Sequence, residues 1–253
     1  MEQSGTLALR LLIGPEGLLE IKKSWGELCS RMQHRQFFHC WPWYWSYINA
    51  LETTPADVML FVLYDQNDAV AIFPCKNSRQ TFFGIKANVL QAPSHPHVPL
   101  ADFICDSPAR LPVLLKHLRQ DGALDWDVLL LRSTPESSAA CRALSSGCLP
   151  LAVSRCVGQS AVLPSLRYEN TLARLDKKFR GNLRRARNRL QELDGVSVVT
   201  ARSPEELAKA FSGFLQVEGS GWKGRKGTGS AIRLHPNVTK FYDLLWKGFA
   251  EQG

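Results

Sequence analysis

The chain has 253 residues, 45% of them hydrophobic and 9% aromatic, a composition of globular rather than disordered proteins that suffices for one large or two modest domains. No apolar run approaches the ~18 residues that cross a bilayer, and the opening MEQSGTLALRLLIG has no basic n-region, so a cytoplasmic protein is expected. Of the net charge of +8, Arg174 to Arg189 supplies +7 through eight bases and one acid. Seven cysteines, an odd number with no C-x-x-C, argue against a disulfide framework and against zinc.

In chain order, TLALRLLI (6–13) reads as a strand and residues 16–32 as an amphipathic helix. Trp41, Tyr44, Trp45, Ile48 and Leu51 then recur at helical spacing, with Pro42 tolerated in the first turn. Three strand-like runs follow, at 57–64, 69–75 and 81–90, and a proline-containing loop without glycine covers 92–106. Next come a helix (107–120), a strand (126–131), a helix (135–146) and strand-like 149–157 and 161–163.

From Leu172 to Leu193 an apolar stripe (Leu172, Leu175, Phe179, Leu183, Ala186, Leu190, Leu193) marks one long helix, with bases over the rest of its surface and Gly195 placed for a left-handed cap. Val196 to Thr200 reads as a strand. Ser203-Pro-Glu-Glu206 is a capping box that opens a helix running to about Val217, and Val238 to Ala250 is a further helix. The order β-α-α therefore occurs at 6–51 and again at 196–250. Two helices and a lone strand cannot bury a sheet. The chain is accordingly expected to be a fragment, or to borrow a sheet.

Between these last helices lies EGSGWKGRKGTGSAI (218–232), with five glycines, two lysines and an arginine. It does not spell G-x-x-x-x-G-K-[ST], and it follows a helix rather than a strand, so a phosphate-cradling Walker loop is excluded.

The element order of residues 6–164 resembles the GNAT acyltransferase fold. KKFRGNLRRARNRLQELDGV, then a helix, then E-G-S-G-W-K-G-R-K-G-T, is similar to an acetyltransferase family linked to cellulose and exopolysaccharide biosynthesis. FFHCWPWYWSYINAL, the A-I-F-P-C strand, and the loop with His97 and Asp102 also resemble it. Members are double GNAT proteins, distantly similar to the FemAB aminoacyltransferases. The resemblance implies an α/β (α+β) architecture: an N-terminal GNAT-like mixed sheet flanked by helices (1–166), then a basic linking helix and an incomplete second GNAT-like domain (167–253). A GNAT domain holds the CoA pyrophosphate in a [RQ]-x-x-G-x-[GA] loop before a helix. The chain nowhere spells that loop. The first domain is thus expected not to bind acyl-CoA, the co-substrate, and the chain to be inactive alone.

The resemblance places 218–232 beside the active cleft. Acyl transfer needs a base for the acceptor and donors for the oxyanion. Glu218 is then the candidate base, Lys223 the group that binds the oxyanion or a sugar phosphate, and Trp222 a substrate contact. The alternative is a glycine-rich connection anchored by a buried Trp222, its lysines in water. Three readings stand for the basic helix, whose motif residues are Lys178, Arg180, Arg184 and Arg185: a solvated face; a site for a phosphorylated substrate, CoA or an anionic lipid headgroup; or a nucleic-acid contact. Of the aromatic cluster, most is core, while Trp43 and Tyr47 fall off the stripe and are candidates for a sugar groove. His95, His97, Asp102 and Cys105 have no ligand spacing, so no metal is expected. The expected partner is a sugar or amine acceptor, with aminoacyl-tRNA or another nucleic acid as the rival.

Overall fold

The computed structural model of the chain describes residues 7–82, 84–98, 100, 102–120, 124–145 and 168–252. They fall into two compact units, 1–153 together with 203–253, and 154–202. The first unit is built on a mixed sheet of β1 (Leu7–Ile13), β2 (Met59–Asp65), β3 (Asp68–Phe82), β4 (Ile85–Gln91), β5 (Ile104–Cys105) and β6 (Val128–Leu130). The strand order is β1-β2-β3-β4-β6, antiparallel except that β6 lies parallel to β4 with Val89 opposite Val128. β5 pairs with β3 at Ala71 and Ile72.

β2 shows why its sequence is apolar at nearly every position. Leu60 and Val62 point into one core with α1 (Gly14–Glu20), α2 (Lys22–Arg31) and α3 (Trp41–Ala50), through Leu18, Trp25 and Ile48. Phe61 and Leu63 point into the opposite core with α4 (Arg110–Gln120) and α5 (Ala139–Ser145), through Leu114, Leu118 and Ala140. A strand covered on both faces has no polar side to alternate with. This is the α+β, GNAT-like mixed sheet flanked by helices that the element order implies.

Several boundaries differ from the sequence reading. The helix expected over 16–32 is two helices separated by Ile21 alone, whose N–H still reaches the Gly17 carbonyl at 3.3 Å. The strand expected from Thr81 begins at Ile85, because β3 continues to Phe82 and turns at Gly84, where φ is +84°. Strand-like 149–157 and 161–163 lie outside the described residues.

The last two helices of the first unit are α8 (Pro204–Ser220) and α9 (Pro236–Ala250). The capping box forms as its sequence dictates: Ser203 Oγ accepts from the Glu206 N–H, and Glu206 Oε2 accepts from the Ser203 N–H, both at 3.2 Å. α9 packs against α3 through Phe241, which is fully buried and meets the Trp43 ring edge-to-face at 5.4 Å. Gly248 permits the close approach, since a Cβ there would come within 2.9 Å of Pro42.

In the second unit the long basic helix is divided. α6 (Tyr168–Arg174) ends and α7 (Lys177–Gln191) begins because Asp176 is extended and accepts the Phe179 N–H at 2.9 Å, an N-cap inside the apolar stripe. Gly195 has φ +77°, in the turn that follows rather than at the helix end. Val196 to Thr200 forms no strand, and Val198 is 97% exposed. A strand exists only through a partner's N–H and C=O groups, and none pairs with this segment among the described residues.

Candidate functional site

Glu218 sits on the last turn of α8, not in the connection, because that helix runs one turn beyond Val217. Its side chain is 8% exposed, and both oxygens are engaged. Oε1 accepts from Lys223 Nζ at 3.1 Å, and Oε2 accepts from the Ile232 N–H at 2.8 Å. One carboxylate therefore ties the two ends of the glycine-rich connection to the helix.

Between those ends the backbone folds on itself. The Thr228 N–H donates to the Trp222 carbonyl at 2.8 Å, Ala231 to Lys223 at 2.9 Å, and Gly227 to Gly224 at 3.0 Å. Compactness explains three of the glycines. A Cβ at Gly227 would overlap the Trp222 carbonyl, one at Gly224 the Gly219 carbonyl, and one at Gly219 the Arg233 guanidinium, whose Nη2 donates to the Gly219 carbonyl at 2.8 Å. Gly229 serves instead through φ +68°. Trp222 is 70% exposed, so the anchor is Glu218 and Arg233, not a buried tryptophan. Lys223 Nζ stands 5.7 Å from the Trp222 ring centroid.

Two histidines join this connection from the loop after β4. His97 Nδ1 lies 3.1 Å from the Tyr242 hydroxyl of α9, and the two rings meet edge-to-face. The His97 N–H donates to His95 Nδ1 at 3.1 Å, and the rings stack at 5.6 Å. Burial holds the His97 imidazole below its ordinary pKa, helped by the charges of His235 and Lys223 and opposed by that of Glu218. Burial likewise lowers His95, with His97 adding to it. Tyr242 is pushed up by burial and by the Glu218 charge, so it stays a phenol. His97, Tyr242, Glu218, Lys223 and His235 thus form one electrostatic neighbourhood. It offers a neutral imidazole, a phenol and an ammonium held by a carboxylate.

Asp102 goes elsewhere. It is buried, accepts the Phe103 and Ala140 N–H groups at 2.8 and 3.3 Å, and faces His39 Nε2 at 3.7 Å. Cys105 is buried on β5. Among the described residues, no group of three or more His, Cys, Asp or Glu is placed to hold a metal ion. The sugar-groove reading of Trp43 and Tyr47 is corrected: both are 5% exposed, Trp43 against Phe37 and Phe241, and Tyr47 bonded to Glu52 at 2.8 Å. α3 is apolar all round because core surrounds it. An open apolar groove of about 440 Å³ does exist, lined by Phe37, Phe211, Phe214, Leu245, Trp246 and Phe249, with Tyr242 as a shared wall.

In the second unit α7 buries none of its residues, so Lys178, Arg180, Arg184 and Arg185 all stand in solvent. Arg185 Nη2 donates to Asn182 at 2.6 Å within the helix. Among the described residues α7 makes no ion pair.

Sequence reasoning missed Tyr242 and His235. Tyr242 follows core residue Phe241 on an amphipathic helix, and nothing local distinguishes it from a surface tyrosine. The only available signal was His97 itself, and only tertiary packing brings the pair together.

Residues 177–253 match the family model described as an acetyltransferase (GNAT) domain. The matched segment holds α7, α8, the glycine-rich connection and α9. No curated protein and no solved structure matches the chain. The family match supports the GNAT family and, in general terms, an acetyltransferase-type acyl transfer to an acceptor. GNAT domains generally use acyl-CoA, yet the turn before α4 does not fit its pyrophosphate. Its segment 92–109 has no glycine, and the N–H groups of Ala109, Arg110 and Leu111 are bonded within the turn. Among the described residues, no helix is long and apolar enough to cross a membrane.

Proposed function

We propose that this chain carries the acceptor side of an acyltransferase that moves an acyl group, acetyl first of all, from acyl-CoA to a sugar or amine in polysaccharide or cell-envelope biosynthesis. The observation that carries the reading is the meeting of His97 with Tyr242 beside the Glu218–Lys223 pair, three of the four within the segment that matches the GNAT model. The K-F-R-x-N-L-R-R and W-K-G-x-x-G-T signatures support the cellulose and exopolysaccharide branch.

The acceptor's N–H or O–H attacks the thioester carbonyl carbon. A C–N or C–O bond forms, the C–S bond breaks, and the sulfur leaves to take up a proton. His97 serves as base in the tautomer whose Nδ1–H donates to the Tyr242 hydroxyl oxygen, which leaves Nε2 unprotonated to receive the acceptor's proton. Its neutral form is the one that burial favours. Lys223 faces the negative charge that develops on the carbonyl oxygen. Glu218, the base on sequence grounds, has both oxygens committed and becomes the residue that positions Lys223.

Thiol release from acetyl-CoA, followed with a panel of sugars, sugar phosphates and amines, tests the reading. Acceptor-dependent release that drops about 100-fold or more in His97→Ala supports it. Transfer from aminoacyl-tRNA with none from acetyl-CoA would instead establish the FemAB-like alternative.

A further inference from the structure

We propose that α7 is a membrane-surface helix that lies on an anionic lipid bilayer, with its cations at the headgroup phosphates and its apolar stripe in the acyl boundary. This goes beyond the acyl-transfer reading and does not depend on it.

Charge comes first. Residues 177–191 hold seven Lys and Arg and no acid, and among the described residues none of the seven is ion-paired. A polybasic helix of this kind complements an anionic lipid surface. Any polyanion would satisfy the charge, so the decision rests on the stripe.

Phe179, Leu183, Ala186 and Leu190 follow one another at spacings of four, three and four, which puts them within an arc of about 60° at 3.6 residues per turn. All four are exposed, Phe179 and Leu190 by about half. A solvated basic face gains nothing from that arrangement. A nucleic-acid backbone would take the cations and leave the stripe in water. The bilayer interface is the partner that supplies phosphates and an apolar layer a few ångströms apart, the pattern by which amphipathic helices lie in a membrane plane.

The angular order of the cations agrees. Lys178 and Arg189 border the stripe on one side and Arg180 and Arg187 on the other, about 70–110° from its centre, where a long side chain reaches back to phosphates while its stem covers apolar surface. Lys177, Arg184 and Arg185 occupy the far side.

The test is sedimentation of the full chain with vesicles of phosphatidylcholine alone and of phosphatidylcholine mixed with phosphatidylglycerol. The expected result is sedimentation with the mixed vesicles only, weakening as salt rises. Arg180→Gln with Arg187→Gln should weaken it on the order of 25-fold, and Arg184→Gln with Arg185→Gln by several-fold less. Leu183→Asn with Leu190→Asn should weaken it about tenfold or more. Arg180→Lys with Arg187→Lys should keep it, and matching melting curves show that each variant folds. Failure to sediment with the mixed vesicles overturns the proposal. So does sedimentation that ignores the Leu183 and Leu190 changes. Salt-steep retention of an RNA oligomer, unaffected by those changes and without vesicle binding, would assign α7 to nucleic acid instead.

Discussion

His97 Nδ1 and the Tyr242 hydroxyl meet at 3.1 Å across 145 residues of sequence. The contact ties the loop after β4 to α9 and fixes the imidazole beside the glycine-rich connection. If it orients a base, Tyr242→Phe should lower kcat while leaving KM for the acceptor nearly unchanged, because the ring and its packing remain. Steady-state kinetics with the best acceptor decides this. An unchanged kcat would leave the tyrosine with a purely structural part.

The acid limb of the rate should report His97. Its pKa lies below the ordinary imidazole value of about 6.5, so the base form persists at mildly acidic pH and the rate falls only beneath that value. Removing a nearby positive charge with Lys223→Met should move the limb's midpoint upward. Stability carries the same signature. The unfolded chain binds a proton near pH 6.5 and the folded chain does not, so stability falls as pH drops from there toward the folded pKa. His95 contributes in the same direction. Thermal unfolding across pH 5 to 7 measures both.

Glu218→Ala should loosen the glycine-rich connection. It frees Lys223 and leaves the Ile232 N–H of a buried residue without its acceptor, a loss of about 1–3 kcal/mol in denaturant unfolding. Glu218→Gln keeps an acceptor oxygen and should cost less.

Two glycines in neighbouring segments should respond with opposite signs. Gly227→Ala drives a methyl into the Trp222 carbonyl and should destabilise by more than 1 kcal/mol, on the order of other backbone clashes. Gly213→Ala, on α8 with nothing within 4 Å of the added Cβ, should stabilise by up to about 1 kcal/mol. Paired unfolding curves give the comparison.

Phe241→Ala should cost about 3–5 kcal/mol, since the ring is fully buried against Trp43 and carries α9 onto α3. The same change at half-exposed Phe214 should cost far less.

By itself the sequence determined what is local. The Ser203–Glu206 capping box, the Pro42 helix start, the strand-like run of β2 and the basic helix were all legible, because caps, φ restrictions and hydrophobic period act within one or two turns of chain. The Asp176 cap was equally local and was passed over, since an unbroken apolar stripe hid it. Tertiary structure decided the rest. It committed both Glu218 oxygens, drew Trp43 and Tyr47 into the core, exposed Trp222, left Val196 to Thr200 without a strand partner among the described residues, and brought Tyr242 to His97. Each of those outcomes depends on which distant surface supplies a hydrogen bond or removes water, and no local pattern encodes that.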